Sequence, residues 1–403
     1  MKTVLFVGAG RHQRAAIVQA QARGLRVVGV DRNPDAPGLE VADIAEAVDF
    51  TDVDTVTEVA RRNGVDGALT VSADPAVPVV AAVTERLGLP SIGVEVAHRM
   101  RNKIVMRLAL AEEGIPQPPY AAVRSLAEGR LALRTVGLPA VLKPADSGGQ
   151  RGVFRIDSSD DLDAHLHAAL AESAEQECIL EGFVDGVEMN GIVIARGGRA
   201  EVLTLSDRLR PPGIGFGVGW IHVYPATAYG DQLALSERVA ERAVEVLGLR
   251  DGIAFPQLIA APDGSVAIVE VAARIPGGQM ADLVRHATGV DLVELALRFA
   301  LGEPVPDEVA RPQFSQPLAI RFLTAEPGPL STGRVTRIGS LEPVLAAEGV
   351  VQAATYLQVG ETIRPVRLDG DRRGYVVAIG DTSTEALARA EAAARLLAVE
   401  VEP

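Results

Sequence analysis

The first 95 residues alternate short apolar runs with amphipathic runs, and glycines separate them. The strand-like runs are TVLFVGA, RVVGVD and GALTVS, and the helix-like runs are RAAIVQAQARG, TVTEVARRNG and PVVAAVTERLG. A strand followed by a helix, repeated along the chain, is typical of a parallel sheet that is covered on its faces. The pattern therefore predicts a small, doubly wound α/β domain over residues 1–95.

The remaining 308 of the 403 residues exceed what one domain usually holds, so further domains are expected. Residues 96–305 mix strands and helices and contain a stretch at about 120–190 that reads as a hinged α+β lobe. The proline-rich run EPVPDEVARP marks a boundary near 305, and residues 306–403 are predicted to form a C-terminal α+β subdomain. Aromatic residues make up only 4% of the chain, so the cores must be aliphatic, which suits α/β layers.

Composition excludes several classes of partner. The formal charge of −14 and a pI near 5.0 leave no broad basic field for nucleic acid or an anionic membrane.

No apolar run approaches the roughly 18 residues that span a bilayer, and MKTVLFVGAG reads as a first strand instead of a signal peptide. The single Cys178 cannot form an internal disulfide, and the six histidines do not cluster as zinc ligands. A cytoplasmic location is expected.

The first turn, GAGRHQR, resembles half of a dinucleotide-binding fingerprint, and Asp31 ends the second predicted strand. Gln13 occupies the position of the third glycine, however. Nicotinamide binding by an oxidoreductase is therefore only an alternative.

Only three of the 39 basic residues are lysines, namely Lys2, Lys103 and Lys143. The chain uses arginine for nearly all of its basic residues. Ammonium is a compact point charge and guanidinium is a broad planar fork, so a lysine in such a chain indicates a site that suits a point charge. Lys143 ends the apolar run PAVLKP, directly before a glycine-rich loop. Each lysine alone could be an ordinary solvated side chain, but the pair beside this loop predicts a phosphate site.

The loop SGGQRG follows Lys143 and supplies Ser147, Gly148, Gly149 and Gly152. Small residues let backbone N–H groups approach anionic oxygens closely, and flanking strands would make the loop a flap. A plain hairpin turn is the alternative for the loop taken alone.

A hairpin is predicted in IAFPQLIAAPDGSVAIVEV. If Asp263 and Gly264 form a two-residue turn, Gln257 lies opposite Glu270 on the same face of the sheet, with Cβ atoms roughly 5 Å apart. Two oxygen ligands at that spacing suit a magnesium ion that is also held by phosphate. Glu270 lies in an apolar run, so we expect it to have a cationic partner, either a metal ion or Arg274.

Two further segments carry candidate binding residues. Arg274 follows the hairpin in EVAARIPGG and could neutralise a phosphoryl group, grip a carboxylate, or form a structural ion pair. The run ILEGFVDGVE offers Glu181, Phe183, Val184 and Glu188, whose apolar walls and few polar groups suit a purine nucleoside. The aromatic loop with Phe216, Trp220 and His222 is expected to shape a substrate pocket.

Across about 300 residues, these motifs resemble the ATP-grasp superfamily, and most of all its amino-acid ligase branch. The resemblance implies a pre-ATP-grasp domain, an ATP-grasp core and a C-terminal subdomain. It implies that Lys103 and Lys143 contact ATP phosphates, that Glu181 and Val184 meet adenine through their main chains, and that Glu188 takes the ribose. It also implies that Glu270, with Gln257, binds Mg²⁺, and that Arg274 and Lys143 serve catalysis.

Two residues depart from the family pattern. Gln257 stands where the family has its first metal carboxylate, and Ala272 stands where an asparagine is expected. Both changes weaken the expected metal site, which keeps a nucleotide-binding regulatory protein as an alternative.

The resulting hypothesis is an ATP-dependent carboxylate–amine ligase that forms an amide through an acyl phosphate, and the resemblance implies amino acids as its substrates. A carboxylase-like enzyme that activates bicarbonate is a second alternative. The expected partners are small carboxylate and amine substrates, and the resemblance also implies a homodimer.

Overall fold

The computed structural model describes residues 1–214, 217–227 and 230–402. Phe216, which the sequence placed in the substrate loop, lies outside these residues. The fold class is confirmed: a parallel α/β sheet is followed by antiparallel sheets with helices packed on them.

The N-terminal segment forms a parallel sheet of four strands in the order β3-β2-β1-β4. Its apolar strand residues are buried, and the amphipathic helices cover them, as the alternating pattern predicts. Its elements are β1 (Thr3–Val7), α1 (Arg11–Ala22), β2 (Arg26–Asp31), β3 (Ile44–Ala47), α2 (Val53–Arg62), β4 (Gly67–Leu69), α3 (Val77–Leu87) and α4 (Val94–Arg99).

Asp31 has a structural partner inside this segment. Its Oδ2 accepts a hydrogen bond of 2.8 Å from the backbone N–H of Ala9, in the first glycine turn. Gln13 is buried and bonds the carbonyl of Val71. Asp31 and Gln13, the two residues compared with the dinucleotide-binding fingerprint, therefore make hydrogen bonds that stabilise the first glycine turn.

The lobe at 120–190 has an antiparallel sheet of four strands in the order β5-β8-β6-β7 and its own hydrophobic core. Cys178 is fully buried in that core, as a small apolar residue would be. A helix, α5 (Lys103–Glu112), precedes the lobe, and the side chain of Asn102 caps it through Ile104 N–H and Val105 N–H. The lobe contains β5 (Tyr120–Val123), α6 (Leu126–Val136), β6 (Ala140–Pro144), β7 (Phe154–Ile156), α7 (Ser159–Ala171) and β8 (Cys178–Gly182).

A third sheet is antiparallel and has eight strands in the order β13-β12-β9-β10-β11-β14-β18-β16. The C-terminal segment contributes β14 (Leu318–Phe322), β16 (Val350–Thr355) and β18 (Gly374–Ile379) to it. Its first part contains β9 (Val187–Arg196), β10 (Arg199–Leu209), β11 (Ile221–Tyr224), α8 (Gln232–Val246), β12 (Gly252–Ala260), β13 (Val266–Ala272), α9 (Met280–Thr288), α10 (Leu292–Ala300) and α11 (Asp307–Ala310). We call this sheet the large sheet.

The C-terminal segment continues the large sheet. It contains β14 (Leu318–Phe322), β15 (Gly333–Ile338), α12 (Glu342–Leu345), β16 (Val350–Thr355), β17 (Thr362–Ile363), β18 (Gly374–Ile379), α13 (Ser383–Ala394) and β19 (Val399–Glu402). Strand β11 pairs with β14, so hydrogen bonds cross the predicted boundary near residue 305. The domain limits therefore stay a prediction, because the sheet does not break there.

The hairpin of β12 and β13 pairs Gln257 with Glu270, as the sequence predicts. The predicted two-residue turn is wrong, because Ala260 pairs with Val266 and Ala261 N–H bonds Ser265 O, which leaves three residues in the loop. A bulge beside Gln257 and Leu258 then shifts the register by one residue. The two deviations cancel, and the two polar side chains leave the same face.

No helix in the described part of the chain is long and apolar enough to cross a membrane.

The contact between β4 and α10 joins the N-terminal sheet to the rest of the chain and leaves no room for a side chain. A Cβ on Gly67 would lie 2.0 Å from the carbonyl oxygen of Ala300. We expect Gly67→Ala to lower the free energy of unfolding by about 3 kcal/mol, because neither backbone can yield freely. Urea unfolding measures the change.

Gly24→Ala is the control, since its φ of +81° is unfavourable for alanine but nothing lies within 4 Å of the added Cβ. Its expected cost is about 1 kcal/mol. If Gly67→Ala and Gly24→Ala lowered the free energy of unfolding by equal amounts, the contact between β4 and α10 would not be as tight as described.

Candidate active site

A cavity of about 500 Å³ lies where the N-terminal segment, the lobe and both parts of the large sheet meet. Twelve of the thirteen predicted site residues line it: Lys103, Lys143, Ser147, Gly148, Gly149, Glu181, Phe183, Val184, Glu188, Gln257, Glu270 and Arg274. Gly152 is the exception, and a Cβ added to it would lie 2.8 Å from Pro144 Cγ and 3.1 Å from Glu172 Cβ. The structure thus brings the predicted residues together, while their individual roles stay predictions.

Lys103 connects three elements at the centre of this cavity. It is the first residue of α5, and its side chain is only 6% exposed. Its Nζ donates to the carbonyl of Ser147 in the glycine loop at 2.7 Å and lies 3.4 Å from Glu270 Oε1. Lys103 is therefore the cation that partners Glu270, a role that the sequence left open between a metal ion and Arg274.

Lys143 belongs to a buried ion triad with Glu181 and Arg107. Lys143 Nζ lies 2.5 Å from Glu181 Oε2, and Arg107 Nε lies 2.8 Å from Glu181 Oε1. The side chains of Arg107 and Glu181 are 1% and 2% exposed. Arg107 Nη2 also donates to the carbonyl of Val269 in β13 at 2.7 Å. The triad thus ties the lobe to α5 and to the large sheet, and it fixes the direction of Lys143.

Burial by itself raises the pKa of the Glu181 carboxyl, but Arg107 and Lys143 outweigh it and lower that pKa to about 2. Glu181 is therefore ionised at neutral pH. Its side chain is fully engaged, so only its main chain remains for the predicted contact with adenine.

The glycine loop, residues 147–152, lies over the cavity and contacts the N-terminal segment. A Cβ on Gly148 would lie 2.7 Å from Asp74 Oδ2, so only glycine permits this approach. Ser147 is 9% exposed, and its Oγ is buried without a hydrogen-bond partner among the described residues. The loop therefore lies close over the site and presents an unused hydroxyl.

The predicted nucleoside end of the cavity combines Phe183 and Val184 with Glu188. Arg155 stacks on the ring of Phe183, with the guanidinium carbon 4.3 Å from the ring centroid. Glu188 pairs with Arg208 at 2.6 Å and with Arg210 at 3.4 Å. These arginines hold the Glu188 carboxylate at the cavity wall.

Three polar residues form a row across adjacent strands of the large sheet. Gln257 pairs with Glu270 on one side and with Asn190 on the other, so all three side chains leave the same face. Asn190 Oδ1 is buried without a partner in the described part of the chain, and its Nδ2 lies 3.2 Å from His222 Nδ1. Asn190 therefore adds an amide oxygen to the same face of the sheet as Gln257 and Glu270.

His222 is fully buried beside this row. Burial, together with Arg372 and Arg208, lowers the pKa of its imidazole well below the usual value. His222 is therefore neutral at physiological pH, and it can exchange a hydrogen bond with Asn190 without bringing a charge.

Arg274 pairs with Asp74 of the N-terminal segment and not with Glu270. Arg274 Nε lies 2.5 Å from Asp74 Oδ1, while Nη1 is buried without a partner among the residues described. Burial raises the pKa of the Asp74 carboxyl, but Arg274 and Lys103 lower it overall. Asp74 thus positions one edge of the guanidinium and leaves another nitrogen available.

The C-terminal segment closes the cavity with a basic, aromatic wall. Arg372 stacks on Phe322 at 4.0 Å, donates to Gly219 O at 2.8 Å and pairs with Asp369 at 2.7 Å. Burial lowers the pKa of Arg372 to about 10, so it remains charged at neutral pH. Arg11 lies 4.7 Å from the ring centroid of Tyr356.

Several of these residues were missed by the sequence reasoning. Asn190 was detectable, because strand alternation places it on the same face as Glu188. Asp74 follows β4 at the carboxyl end of the parallel sheet, where ligand-binding residues commonly lie. Arg107 and Arg372 carried no local signal, since their neighbours in sequence do not indicate what they contact.

The donor groups fit a nucleotide with magnesium. Ser147 Oγ, Asn190 Oδ1 and Arg274 Nη1 are buried polar atoms without partners among the described residues, and all belong to residues that line the cavity. No group of three or more His, Cys, Asp or Glu side chains that could hold a metal ion occurs within residues 1–214, 217–227 and 230–402. The side-chain oxygens of Glu270 and Gln257, paired on adjacent strands, suit Mg²⁺, because this ion takes few protein oxygens together with phosphate and water.

Three family models match the chain. Residues 17–91 match the ATP-grasp N-terminal domain, residues 101–308 match the carbamoyl-phosphate synthase L chain ATP-binding domain, and residues 321–402 match the L-amino acid ligase C-terminal domain 2. The second match covers more than half of the chain.

The chain is similar over almost its whole length to known proteins. It is 27% identical to the formate-dependent phosphoribosylglycinamide formyltransferase of Synechococcus sp., across 99% of this chain and 97% of that protein. The L-amino acid ligase of Bacillus licheniformis has a similar fold, with a TM-score of 0.85 at 22% identity, over 100% of this chain and 99% of that one.

Another similar fold is the biotin carboxylase domain dimer of the 2-oxoglutarate carboxylase of Hydrogenobacter thermophilus, solved with MgADP and bicarbonate. Its TM-score is 0.79 at 18% identity, over 99% of this chain and 90% of that one.

The buried ion triad gives a pH-dependent prediction. Glu181→Gln leaves Arg107 buried without its anion, so we expect a loss of about 3 kcal/mol in the free energy of unfolding at pH 7. The pKa of Glu181 is lowered in the folded state, so its stabilisation is complete above the usual glutamate pKa, roughly 4.3, and is lost as the pH falls towards about 2. The difference between wild type and variant should therefore narrow over that interval in urea unfolding.

Glu172→Gln is the control, because Glu172 is 44% exposed in its side chain and lies 4.0 Å from Arg151. It should change stability by less than about 0.5 kcal/mol. A difference between wild type and Glu181→Gln that stays constant from pH 7 to pH 3 would contradict the assignment.

Proposed function

Because the chain belongs to the ATP-grasp family defined by the carbamoyl-phosphate synthase L chain ATP-binding domain, we propose that it is a ligase that uses ATP and Mg²⁺ to join a carboxylate to an amine. ATP-grasp proteins of this kind are enzymes. The observation that supports the proposal most directly is the convergence of Lys103, Glu270 and Arg274 on one cavity.

In this proposal, Lys143 and Lys103 hold the phosphates of ATP. Both ammonium groups lie in the cavity wall, and the carboxylates of Glu181 and Glu270 fix their positions. Glu270 and Gln257 hold Mg²⁺, which supplies neutralisation of phosphate charge when bound. Phosphoryl transfer depends mainly on position and charge, so no nucleophilic side chain is required.

The first step joins a carboxylate oxygen to the γ-phosphorus and breaks the bond from that phosphorus to the β–γ bridging oxygen, which releases ADP. Arg274, whose Nη1 has no partner among the described residues, stabilises the acyl phosphate or binds the substrate carboxylate in this proposal. In the second step an amine attacks the acyl carbon, phosphate leaves, and the nitrogen loses a proton. The glycine loop excludes water from the labile intermediate.

Amino acids are the substrates that we favour. The match of residues 321–402 to the L-amino acid ligase C-terminal domain 2 supports this choice, since that segment supplies Arg372, Phe322 and Tyr356 to the cavity.

A second candidate is the activation of formate for transfer to a phosphorylated amine, as the name of the full-length relative indicates for that protein. The basic wall of Arg11 and Arg372 favours an amine substrate that carries an anionic group. Both candidate reactions pass through an acyl phosphate. They differ in the carboxylic acid that is activated, which is an amino acid in the first and formate in the second.

Trapping with hydroxylamine tests the proposal. Purified protein with ATP, Mg²⁺ and hydroxylamine should convert the accepted acid to a hydroxamate, with one ADP for each hydroxamate. Separate pools of amino acids and of short acids that include formate distinguish the two candidates. Absence of both ADP and hydroxamate with every pool, despite tight ATP binding, would favour a regulatory protein instead.

Arg274 should be needed for turnover and not for ATP binding. Arg274→Met is expected to lower kcat by about a hundredfold or more, because a charge aimed at the reacting centre is lost. Arg274→Lys retains a cation beside Asp74 and should keep part of the activity. ATP affinity, measured by calorimetry, should change by less than about threefold, because an interaction that forms only in the transition state does not contribute to binding of ATP in the ground state.

Arg242→Met is the matched control, since Arg242 is 54% exposed in its side chain and pairs with Glu113 outside the cavity. An Arg274→Met enzyme with unchanged kcat would limit Arg274 to a structural ion pair.

Gln257 gives a test of the metal site. Gln257→Glu adds a second carboxylate opposite Glu270, so we expect Mn²⁺, followed by electron paramagnetic resonance in the presence of ADP, to bind at least about tenfold more tightly. Gln358→Glu adds the same charge at an exposed position and should leave the Mn²⁺ affinity unchanged. An unchanged affinity in Gln257→Glu would exclude Gln257 from the metal site.

A further inference from the structure

A second cavity, of about 560 Å³, lies between the N-terminal segment and the large sheet. Its walls are largely aliphatic and aromatic, with Val77 and Val80 from α3, Ile253 from β12, Phe299 from α10, and the connecting residues Ile92 and Ile275. Ligand pockets in proteins have volumes of roughly 300–1,000 Å³ and mostly apolar walls. The proposed ligase reaction makes no use of this cavity.

Thr70 places an unsatisfied polar group in the wall of the second cavity. Thr70 is only 9% exposed, and its Oγ1 has no hydrogen-bond partner in the described part of the chain. A buried hydroxyl without a partner costs about 1–3 kcal/mol. A rotation of the Thr70 side chain about its Cα–Cβ bond would turn the hydroxyl towards the cavity, where a bound molecule with one hydrogen-bonding group would satisfy it.

A thin partition separates this cavity from the active site. At the end of β13 and in the residues that follow it, Ala272 and Pro276 line the active-site cavity, Ala273 and Ile275 line the second cavity, and Arg274 lines both. The two cavities therefore share this short segment as a common wall.

The partition also includes the residues that follow β4. Val71 forms a parallel bridge with Ile275, and Ser72 N–H donates to Ile275 O at 2.9 Å. Thr70 lines the second cavity, whereas Ser72 lines the active-site cavity. The unsatisfied hydroxyl therefore lies one residue from the backbone contact that holds the Arg274 segment.

The charged groups around the second cavity already have partners. Arg196 pairs with Asp307 at 2.7 Å, and Glu303 pairs with Lys2 at 3.2 Å. Asp251 accepts a hydrogen bond of 2.9 Å from Gly197 N–H. Arg274 is neutralised by Asp74. This balance favours an uncharged ligand.

We propose that the second cavity is an effector site for a neutral amphipathic molecule with an aliphatic or alicyclic body of about six to ten carbon atoms, a size suited to such a pocket. Its polar group bonds the hydroxyl of Thr70, and its apolar body packs against the partition. Binding of this molecule therefore alters the position of Arg274 and changes the rate of the reaction in the active site. The site is distinct from the substrate cavity, so the inference does not rest on the identity of the ligase substrates.

Methyl NMR with cyclohexanol as the probe tests the proposal on the full chain. The δ1 methyls of Ile92, Ile253 and Ile275 should shift in a saturable manner, while that of Ile156 in the lobe should not. The Nε–H signal of Arg274 should shift with the same dissociation constant, because Arg274 belongs to the partition. No saturable shift at the three isoleucines would overturn the site, and a site that fills without moving the Arg274 signal would overturn its effector role.

Two variants make the test specific. Thr70→Val removes the hydroxyl at nearly constant volume and should weaken cyclohexanol binding by about fivefold, as for one hydrogen bond. Thr288→Val is the matched control, since its hydroxyl donates to Val284 O at 2.7 Å outside the cavity. Ala296→Leu narrows the cavity from α10 and should abolish binding. Equal affinities for wild type, Thr70→Val and Ala296→Leu would overturn the assignment.

Discussion

The buried triad of Arg107, Glu181 and Lys143 is the interaction on which the geometry of the site depends. One carboxylate, with its pKa lowered to about 2, holds two cations that arise from α5 and from the lobe. Arg107 also reaches the backbone of β13 next to Glu270. An ion group with this little exposure is stable only when every member is paired, so each partner fixes the others. The position of Lys143 relative to the hairpin of β12 and β13 follows from this constraint.

The site is assembled from parts of the chain that lie far apart in sequence. Asp74 orients Arg274 across 200 residues, and Lys103 joins the glycine loop to Glu270. The C-terminal segment adds Arg372 by continuing the large sheet through β14 and β18. Each part therefore supplies one side of the cavity. The partition of residues 70–72 and 272–276 is the place where the N-terminal segment bears on the reacting groups.

Sequence reasoning predicted most of the cavity because its motifs are local. The glycine loop after Lys143, the hairpin that pairs Gln257 with Glu270, and the run from Glu181 to Glu188 are each contained within about twenty residues, a span over which strand alternation and turn chemistry act. Even there, the register depended on a bulge that local patterns do not specify. Gly152 was named as a phosphate contact; it does not line the cavity, and that role stays a prediction.

By itself, the sequence determined the class of fold, the order of its strands and helices, and the segments that line the cavity, because periodicity, glycine positions and charge are properties of neighbouring residues. Only the tertiary structure decided which charges meet. It paired Arg274 with Asp74, gave Glu270 the cation of Lys103, and placed Asn190 beside Gln257. Ion pairs and cavities form between surfaces that are brought together by packing, and a charge in the sequence does not specify which of many distant partners will be buried with it.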